Sequence, residues 1–123
     1  MGNDGRGWVV IRRGEIYQVV FDPTLGSEAN KTRPALVVSN DHNNEHAGTV
    51  TVLAISSKVQ RVYPFEVEIM KGQGGIPEDS KIMAHHIRSI DKRRLRGLPL
   101  GPTLDHFVMN HVEKAIKLHL DIQ

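Results

Sequence analysis

The sequence contains no cysteine among its 123 residues. Disulfide bonds, cysteine-ligated zinc and thiol nucleophiles are therefore excluded, and a reducing compartment fits this composition best. Long apolar runs are also missing near the N-terminus, where the longest is WVVI. That run is too short for the core of a signal peptide or for a membrane span. We therefore expect a cytoplasmic protein with no membrane segment.

Neither sign of charge dominates, because 16 Lys and Arg residues oppose 14 Asp and Glu residues, for a formal net charge of +2. This balance permits nucleic-acid binding without demanding it, since clustering matters more than the net value. The length suits one compact domain. We expect a flexible N-terminal segment at residues 1–13 and a single folded domain at residues 14–123.

Short β-favouring runs, separated by turn-forming residues, recur from residue 15 to residue 87. They are EIYQVVF (15–21), ALVVSN (35–40), TVTVLAIS (49–56), PFEVEI (64–69) and KIMAHHI (81–87). In the fourth run, apolar residues alternate with Glu66 and Glu68. Because successive side chains of a strand point to opposite faces, this alternation predicts that both glutamates face solvent.

The C-terminal segment changes period, and from Thr103 to Leu120 the apolar residues fall at helical spacing. Thr103 is the predicted N-cap, with Asp105 in the first turn. Five or so strands followed by one terminal helix predict a mainly β fold, a small β-barrel with a packed helix.

The stretch HNNEH at 42–46 matches the inverted zincin string H-x-x-E-H. That chemistry needs His42 and His46 on one helical face, but the string lies among turn formers and no third ligand is evident. We predict a solvated loop here. A contact with substrate is the alternative role for the two histidines.

A second polar feature, IDKRRLR at 90–96, contains four cations within seven residues. The default interpretation is a solvated charged turn capped by Asp91, and the alternative is an edge that contacts phosphates. His85 and His86 precede it at the end of a predicted strand and should point to opposite faces. Either histidine could act as an acid or base near neutral pH, or simply pack at the surface.

A polar loop of a dozen residues, 22–33, contains GSEANKTR, is followed by Pro34 and joins the first two predicted strands. Pro34 biases Arg33 toward extended backbone, so Arg33 should stand at the mouth of a strand, well placed to clamp a phosphate. Glu28 lies on the loop above it. An exposed Arg33–Glu28 pair is the alternative, but it would contribute only about 0–1 kcal/mol. Loops of this length are uncommon unless they bind something.

Several stretches resemble, in order and from about residue 14 to residue 120, the MazF/PemK (Kid) toxins of bacterial toxin–antitoxin modules. They are DPTLGSEANKTRPALVVSND, TVLAIS, PFEVEI, IPEDS and HIRSIDKRRL, followed by the terminal helix. The resemblance implies an SH3-like (CcdB/PemK-type) β-barrel with a C-terminal helix, acting as a homodimer. It also implies a cofactor-free, metal-independent endoribonuclease that cuts single-stranded mRNA at specific sequences and is neutralised by a MazE-like antitoxin. Its products would carry 2′,3′-cyclic phosphate and 5′-hydroxyl ends.

The resemblance assigns the catalytic residues to Arg33, Ser56 and Glu28. A guanidinium offers paired donors to phosphoryl oxygens that gain charge during attack by a ribose 2′-hydroxyl, although it holds its proton too tightly to act as a base. Ser56 would donate to the same phosphate or orient the 2′-hydroxyl. Glu28 would accept the 2′-hydroxyl proton or hold Arg33 in place.

Further RNA contacts are predicted around this set, at Lys31, Thr32, Ser57, His86 and Arg88. His86 departs from the family pattern, which usually has glutamine before Ile-Arg, so it would serve as a general acid or alter base preference, or do neither. Two other functions stay open. One is a CcdB-like toxin that acts on DNA gyrase, because a fold does not fix a function. The other is an RNA-binding barrel without catalytic activity.

Overall fold

The computed structural model of the protein describes residues 10–21 and 32–123. Within these ranges the chain forms six strands, two α-helices and two short 3-10 turns, the latter at Gln73–Gly75 and Lys92–Arg94. In chain order the strands and helices are β1 (Ile16–Val20), β2 (Thr32–Val37), α1 (Asp41–His46), β3 (Thr49–Ser56), β4 (Glu66–Ile69), β5 (Ser80–Asp91), β6 (Leu95–Arg96) and α2 (His106–Leu120). No helix of the described ranges is both long enough and apolar enough to cross a membrane.

The strands form one antiparallel sheet in the order β4-β5-β3-β2-β1-β6. The predicted mainly β class with a C-terminal helix is therefore confirmed. The sheet of the described residues is open rather than closed into a barrel, because its edge strands, the four-residue β4 and the two-residue β6, are not paired with each other. The long strand β5 pairs with both β4 and β3, so it joins the two halves of the sheet.

Alternation along the strands gives the sheet two apolar faces. One face includes Ile16, Leu36 and Leu53 and is covered by the apolar side of α2. The opposite face has its own cluster of buried residues, which includes Tyr17 and Val37. Each large aliphatic side chain fully buried in this way stabilises the fold by about 1.5–3 kcal/mol.

Helix α2 begins two residues later than predicted, because Asp105 and not Thr103 is its N-cap. The Asp105 side chain accepts a hydrogen bond from the Val108 N–H at 2.9 Å. Between them, the Leu104 N–H donates to the Gly14 carbonyl oxygen at 2.9 Å, which holds the chain against the sheet before the helix starts.

The prediction of a loop at HNNEH was wrong, because residues Asp41–His46 form helix α1. The Asn40 side chain caps this helix by accepting from the Asn43 N–H at 2.8 Å. Asn44 is buried and donates to the Ser39 carbonyl oxygen at 2.9 Å. The asparagines therefore anchor the helix instead of ending it. Among residues 10–21 and 32–123, no group of three or more His, Asp or Glu side chains is placed to hold a metal ion.

Two further expectations need correction. Residues 10–13 belong to the fold rather than to a flexible segment, since Ile11 is buried and Arg13 donates to the Val38 carbonyl oxygen and pairs with Glu113 at 2.6 Å. Glu66 does not face solvent as predicted. It is buried because Lys81 on the neighbouring strand provides a partner for its carboxylate, whereas Glu68 is exposed as expected.

Candidate active site

A groove of about 460 Å³ lies where β2 begins and β3 ends. One wall comes from these strand ends and the residues after β3, and the other wall comes from residues 76–78 with Ser80. The structure thus brings together four predicted site residues, which are Thr32, Arg33, Ser56 and Ser57.

The pairing of β2 with β3 explains why Arg33 and Ser56 meet. Ala35 is paired with Ala54 in the antiparallel ladder. This is the last pair of the ladder, and Arg33 and Ser56 lie two residues beyond it on their own strands. Each lies two residues from its paired alanine, so both side chains lie on the same face of the sheet. Both residues line the groove.

The Ser56 hydroxyl is already oriented by the backbone. Its oxygen accepts a hydrogen bond from the Lys58 N–H at 3.1 Å. A hydroxyl has one proton to donate and two lone pairs to accept with. The Ser56 hydroxyl donates to no other residue that the structure describes, so its proton is available to a group in the groove.

The Arg33 guanidinium is likewise available to bind a group in the groove. Arg33 is exposed, and its side chain makes no hydrogen bond or ion pair with any other residue that the structure describes. The two remaining predicted residues of this region, Glu28 and Lys31, lie outside the described residues. Their roles, including the alternative of an Arg33–Glu28 pair, stay predictions.

Two charged residues of the groove were missed from the sequence. Lys58 directly follows Ser56 and Ser57 in the sequence. Its position next to two predicted site residues was the signal that could have identified it. Glu78 lies on the opposite wall, within the stretch IPEDS, and its carbonyl oxygen accepts from the Ser80 hydroxyl at 2.8 Å. This bond fixes the backbone of that wall. The described lining of the groove therefore combines the cations Arg33 and Lys58 and the carboxylate of Glu78 with neutral donors.

His86 and Arg88, the other two predicted RNA contacts, do not line the groove. The guanidinium of Arg88 lies 5.3 Å from the ring centre of Phe21 and donates to the Phe21 carbonyl oxygen at 3.4 Å. His86 is exposed on β5 next to His85. Their roles in RNA binding stay predictions.

The expectation that His85 and His86 point to opposite faces was wrong. Their ring centres are only 4.4 Å apart. The cause is an irregularity in the sheet, because the segment of β5 from Ile82 to Ile87 pairs with the much shorter segment of β3 from Ile55 to Leu53. β5 therefore bulges at this point, and its side chains no longer alternate strictly between the two faces of the sheet.

The charged segment at 90–96 is held by the protein's own groups. Asp91 caps the 3-10 turn, as predicted, by accepting from the Arg93 N–H at 2.8 Å. Hydrogen bonds from the Arg93 side chain and backbone lower the pKa of Asp91 to about 2. Lys92 is buried, and Arg94 donates to the Val20 carbonyl oxygen at 3.0 Å. These bonds favour the structural interpretation of the segment over the phosphate-contacting one.

The pKa of His85 is also shifted. Partial burial lowers its pKa below the ordinary value of 6.5, and the neighbouring His86 lowers it further. The carboxylate of Glu66, whose nearer oxygen lies 4.0 Å from His85 Nε2, opposes this shift without overcoming it. His85 is therefore biased toward its neutral form.

The chain and its fold are similar to known proteins. Among characterised relatives, the chain is 43% identical over 118 residues to endoribonuclease MazF9 of Mycobacterium tuberculosis, covering 92% of this chain and 98% of the relative. It is 35% identical over 113 residues to endoribonuclease EndoA of Bacillus subtilis, covering 91% and 96%. The fold also matches a solved MazE–MazF structure from Deinococcus radiodurans, with a TM-score of 0.73 at 28% identity, covering 93% of this chain and 98% of the other.

The family comparison covers almost the whole chain. Residues 12–120 match the PemK-like, MazF-like toxins of type II toxin–antitoxin systems. This match includes every strand and helix of the described residues and both walls of the groove. The chain belongs to the PemK-like, MazF-like toxin family.

Proposed function

We propose that this toxin is an endoribonuclease that cuts single-stranded mRNA at specific sequences, without a metal ion, in the groove that contains Arg33 and Ser56. The observation that carries the proposal is the position of these two side chains on the same face of the sheet, at one end of the β2–β3 pair. A fixed cation and a free hydroxyl proton there suit a phosphodiester, which bears a negative charge and accepts hydrogen bonds.

The reaction is a transesterification within the RNA. The ribose 2′-oxygen forms a bond to the adjacent phosphorus, and the bond from phosphorus to the 5′-oxygen of the next nucleotide breaks. The proton of the 2′-hydroxyl is released and the 5′-oxygen acquires one. The products are a 2′,3′-cyclic phosphate and a 5′-hydroxyl. RNA supplies its own nucleophile, so the protein has to orient it and stabilise the charge that develops.

Arg33 stabilises the phosphoryl oxygens during this step. Their negative charge grows as the fifth oxygen approaches phosphorus, and a planar guanidinium can donate two parallel hydrogen bonds to them. Arg33 does not act as the base, because an arginine side chain stays protonated at neutral pH. Lys58 adds a second cation to the same wall of the groove.

Ser56 supplies a neutral donor. Its hydroxyl oxygen accepts from the Lys58 N–H, and its proton would be donated to the phosphate or the 2′-hydroxyl. Glu28 is proposed as the group that accepts the 2′-hydroxyl proton or positions Arg33. Thr32 and Ser57 border the two principal residues in sequence and line the groove with them, which supports a role in binding the RNA backbone.

The biological setting of the proposal follows from the family. A solved relative from Deinococcus radiodurans is a MazE–MazF structure, and we propose a MazE-like antitoxin as the partner of this chain. A homodimer in the cytoplasm completes the proposed state. Action on DNA gyrase and RNA binding without cleavage, the two alternatives, have no comparable support. Both relatives described above are named endoribonucleases.

A direct test uses purified protein and a long single-stranded RNA in excess EDTA. The proposal predicts cleavage, fragments with 2′,3′-cyclic phosphate ends, and no cleavage after a 2′-deoxynucleotide placed at a mapped cut site. Cleavage that continues at the deoxy position would exclude the 2′-hydroxyl as nucleophile. Cleavage that stops in EDTA and returns with a divalent cation would show that a metal ion is required.

A further inference from the structure

We propose that Tyr63 and Phe65, on the segment between β3 and β4, form a stacking subsite for an unpaired RNA base beside the groove. The inference extends the proposed function, because it assigns a second part of the RNA path. We call these two rings, together with Arg61, the aromatic shelf.

The two rings of the shelf are stacked on each other. Their centres lie 5.5 Å apart and their planes differ by 6°. Phe65 is half-buried and covers one side of Tyr63, whereas 42% of Tyr63 is exposed. By contrast, the chain's other tyrosine, Tyr17, is fully buried in the core. Tyr63 thus presents part of its ring at the surface. A nucleobase is a planar partner that would cover this exposed ring.

Two cations lie close to the exposed ring of Tyr63. The Arg61 guanidinium carbon lies 5.8 Å from the ring centre of Tyr63, and its Nη1 donates to the Tyr63 hydroxyl at 3.2 Å. The Lys81 ammonium lies 5.9 Å from the same ring centre. An aromatic surface next to cations is the combination by which proteins hold single-stranded nucleic acid, since bases stack and phosphates pair with the charges.

The shelf is continuous with the groove through Lys81. In the sheet, Lys81 on β5 is paired directly with Ser56 on β3. The backbone of Lys81 therefore adjoins a proposed catalytic residue, while its ammonium reaches the Tyr63 ring. An RNA strand with its reacting phosphate at Ser56 can place a neighbouring base on the shelf.

The shelf is held in position before any ligand binds. The buried carboxylate of Glu66 accepts from the Tyr63 N–H at 2.9 Å and pairs with the Lys81 ammonium at 3.1 Å. Lys81 also donates to the Arg61 carbonyl oxygen at 2.8 Å. Two backbone positions of the segment are thereby fixed to β4 and β5, which lowers the entropy cost of placing the ring against a base.

The local charge favours RNA over a peptide. Among the described residues, the carboxylate that contacts the shelf is that of Glu66, which is buried and paired with Lys81, whereas the Arg61 charge beside Tyr63 is exposed. The pairing of Lys81 with Ser56 links this positive, aromatic surface to the groove that contains Arg33 and Lys58. An acidic antitoxin peptide is the competing occupant, and the experiment below separates the two.

The test measures binding of a random-sequence, single-stranded 2′-O-methyl RNA of about twelve nucleotides, which cannot be cut because its 2′-hydroxyls are blocked. Tyr63→Leu removes the ring, Tyr63→Phe keeps it, and Phe107→Leu removes a ring of α2 that is 71% exposed. Stacking of one base predicts that Tyr63→Leu weakens binding by roughly 5- to 150-fold, with Tyr63→Phe and Phe107→Leu close to wild type. Thermal unfolding verifies that each variant is folded.

A second readout does not depend on the substitutions. RNA that contains 5-iodouridine should crosslink to Tyr63 in the wild-type protein on irradiation. Unchanged affinity of folded Tyr63→Leu, or crosslinks confined to other residues, would overturn the inference. Loss of antitoxin affinity in Tyr63→Leu with RNA affinity intact would overturn it in favour of a peptide surface. Because the RNA is uncleavable, Tyr63-dependent binding by a protein that cuts no RNA would reject the proposed function and leave this inference standing.

Discussion

The ammonium of Lys81 lies 3.1 Å from the carboxylate of Glu66, and 12% and 2% of these two side chains are exposed. The same carboxylate oxygen accepts from the Tyr63 N–H. The buried carboxylate of Glu66 thus links β4 to β5. It also holds Tyr63, near the end of the segment between β3 and β4.

Removing the charge of Glu66 should therefore destabilise the fold. Glu66→Gln leaves the Lys81 ammonium without its counter-charge in a mostly buried position, and breaking such a pair costs about 3–5 kcal/mol. Urea unfolding measures the change. The matched control is Glu68→Gln, two residues along the same strand and exposed, for which we expect about 0.5 kcal/mol or less. Equal losses in the two variants would contradict the role of Glu66.

Ser56 should matter for cleavage through its hydroxyl and not through its packing. Ser56→Ala removes the donor, and the loss of one such donor lowers kcat by about 10²–10³-fold. Ser56→Thr keeps a hydroxyl and should retain most of the activity. Single-turnover cleavage of one mapped RNA site measures both. Full activity in Ser56→Ala would remove Ser56 from the proposed mechanism.

The far wall of the groove depends on a glycine. Gly75 has φ of +85°, and a Cβ built there would lie 2.2 Å from the Leu100 carbonyl oxygen. Gly72 has a similar φ of +97° but open space around it. Gly72→Ala should cost about 1–2 kcal/mol from backbone strain alone.

Gly75→Ala should cost more than Gly72→Ala by about 1–3 kcal/mol, because two backbone segments must separate. It should also slow cleavage, since Ile76 and Glu78 of the groove follow directly. Thermal or urea unfolding of both variants gives the comparison. Similar stabilities would mean that the contact with Leu100 relaxes freely.

His85 should make stability depend on pH in a defined direction. Its pKa is lowered in the folded protein by burial and by His86, so below the ordinary value of 6.5 the unfolded chain binds more protons. The contribution of His85 is fully present above 6.5 and is lost as the pH falls toward the lowered pKa.

The measurement compares urea unfolding at pH values from about 7 down to about 5. The wild type should lose stability over this range, and His85→Gln should lose less. His111→Gln, which changes an exposed histidine of α2, should follow the wild type. NMR titration of His85 gives its pKa directly. A value above 6.5, or parallel curves for the wild type and His85→Gln, would contradict the assignment.

The sequence predicted best where one physical signal acted alone. Strand β3 was predicted at 49–56 and is observed at Thr49–Ser56, because a continuous β-favouring run there ends in turn formers. Helix α1 was missed because two asparagines form its cap and its anchor, and their usual preference is for turns. The burial of Glu66 was missed because its partner, Lys81, lies on another strand.

The site was predicted in part for the same reason. The resemblance nominated Arg33 and Ser56, and the pairing of β2 with β3 brings them into one groove. That pairing involves residues far apart in sequence, so local periodicity contains no information about it. His86 was nominated beside them, but the irregular register of β5 could not be anticipated from the sequence, and His86 lies outside the groove lining.

The most direct test of the account is cleavage of single-stranded RNA in EDTA by the wild type, Arg33→Ala and Arg12→Ala. Arg12 is an exposed arginine outside the groove lining, so its variant has the same change of charge. Arg33→Ala should cut about 10²–10³-fold more slowly than the wild type, while Arg12→Ala should cut at the wild-type rate. Equal rates for a folded Arg33→Ala and the wild type would contradict the central role of Arg33.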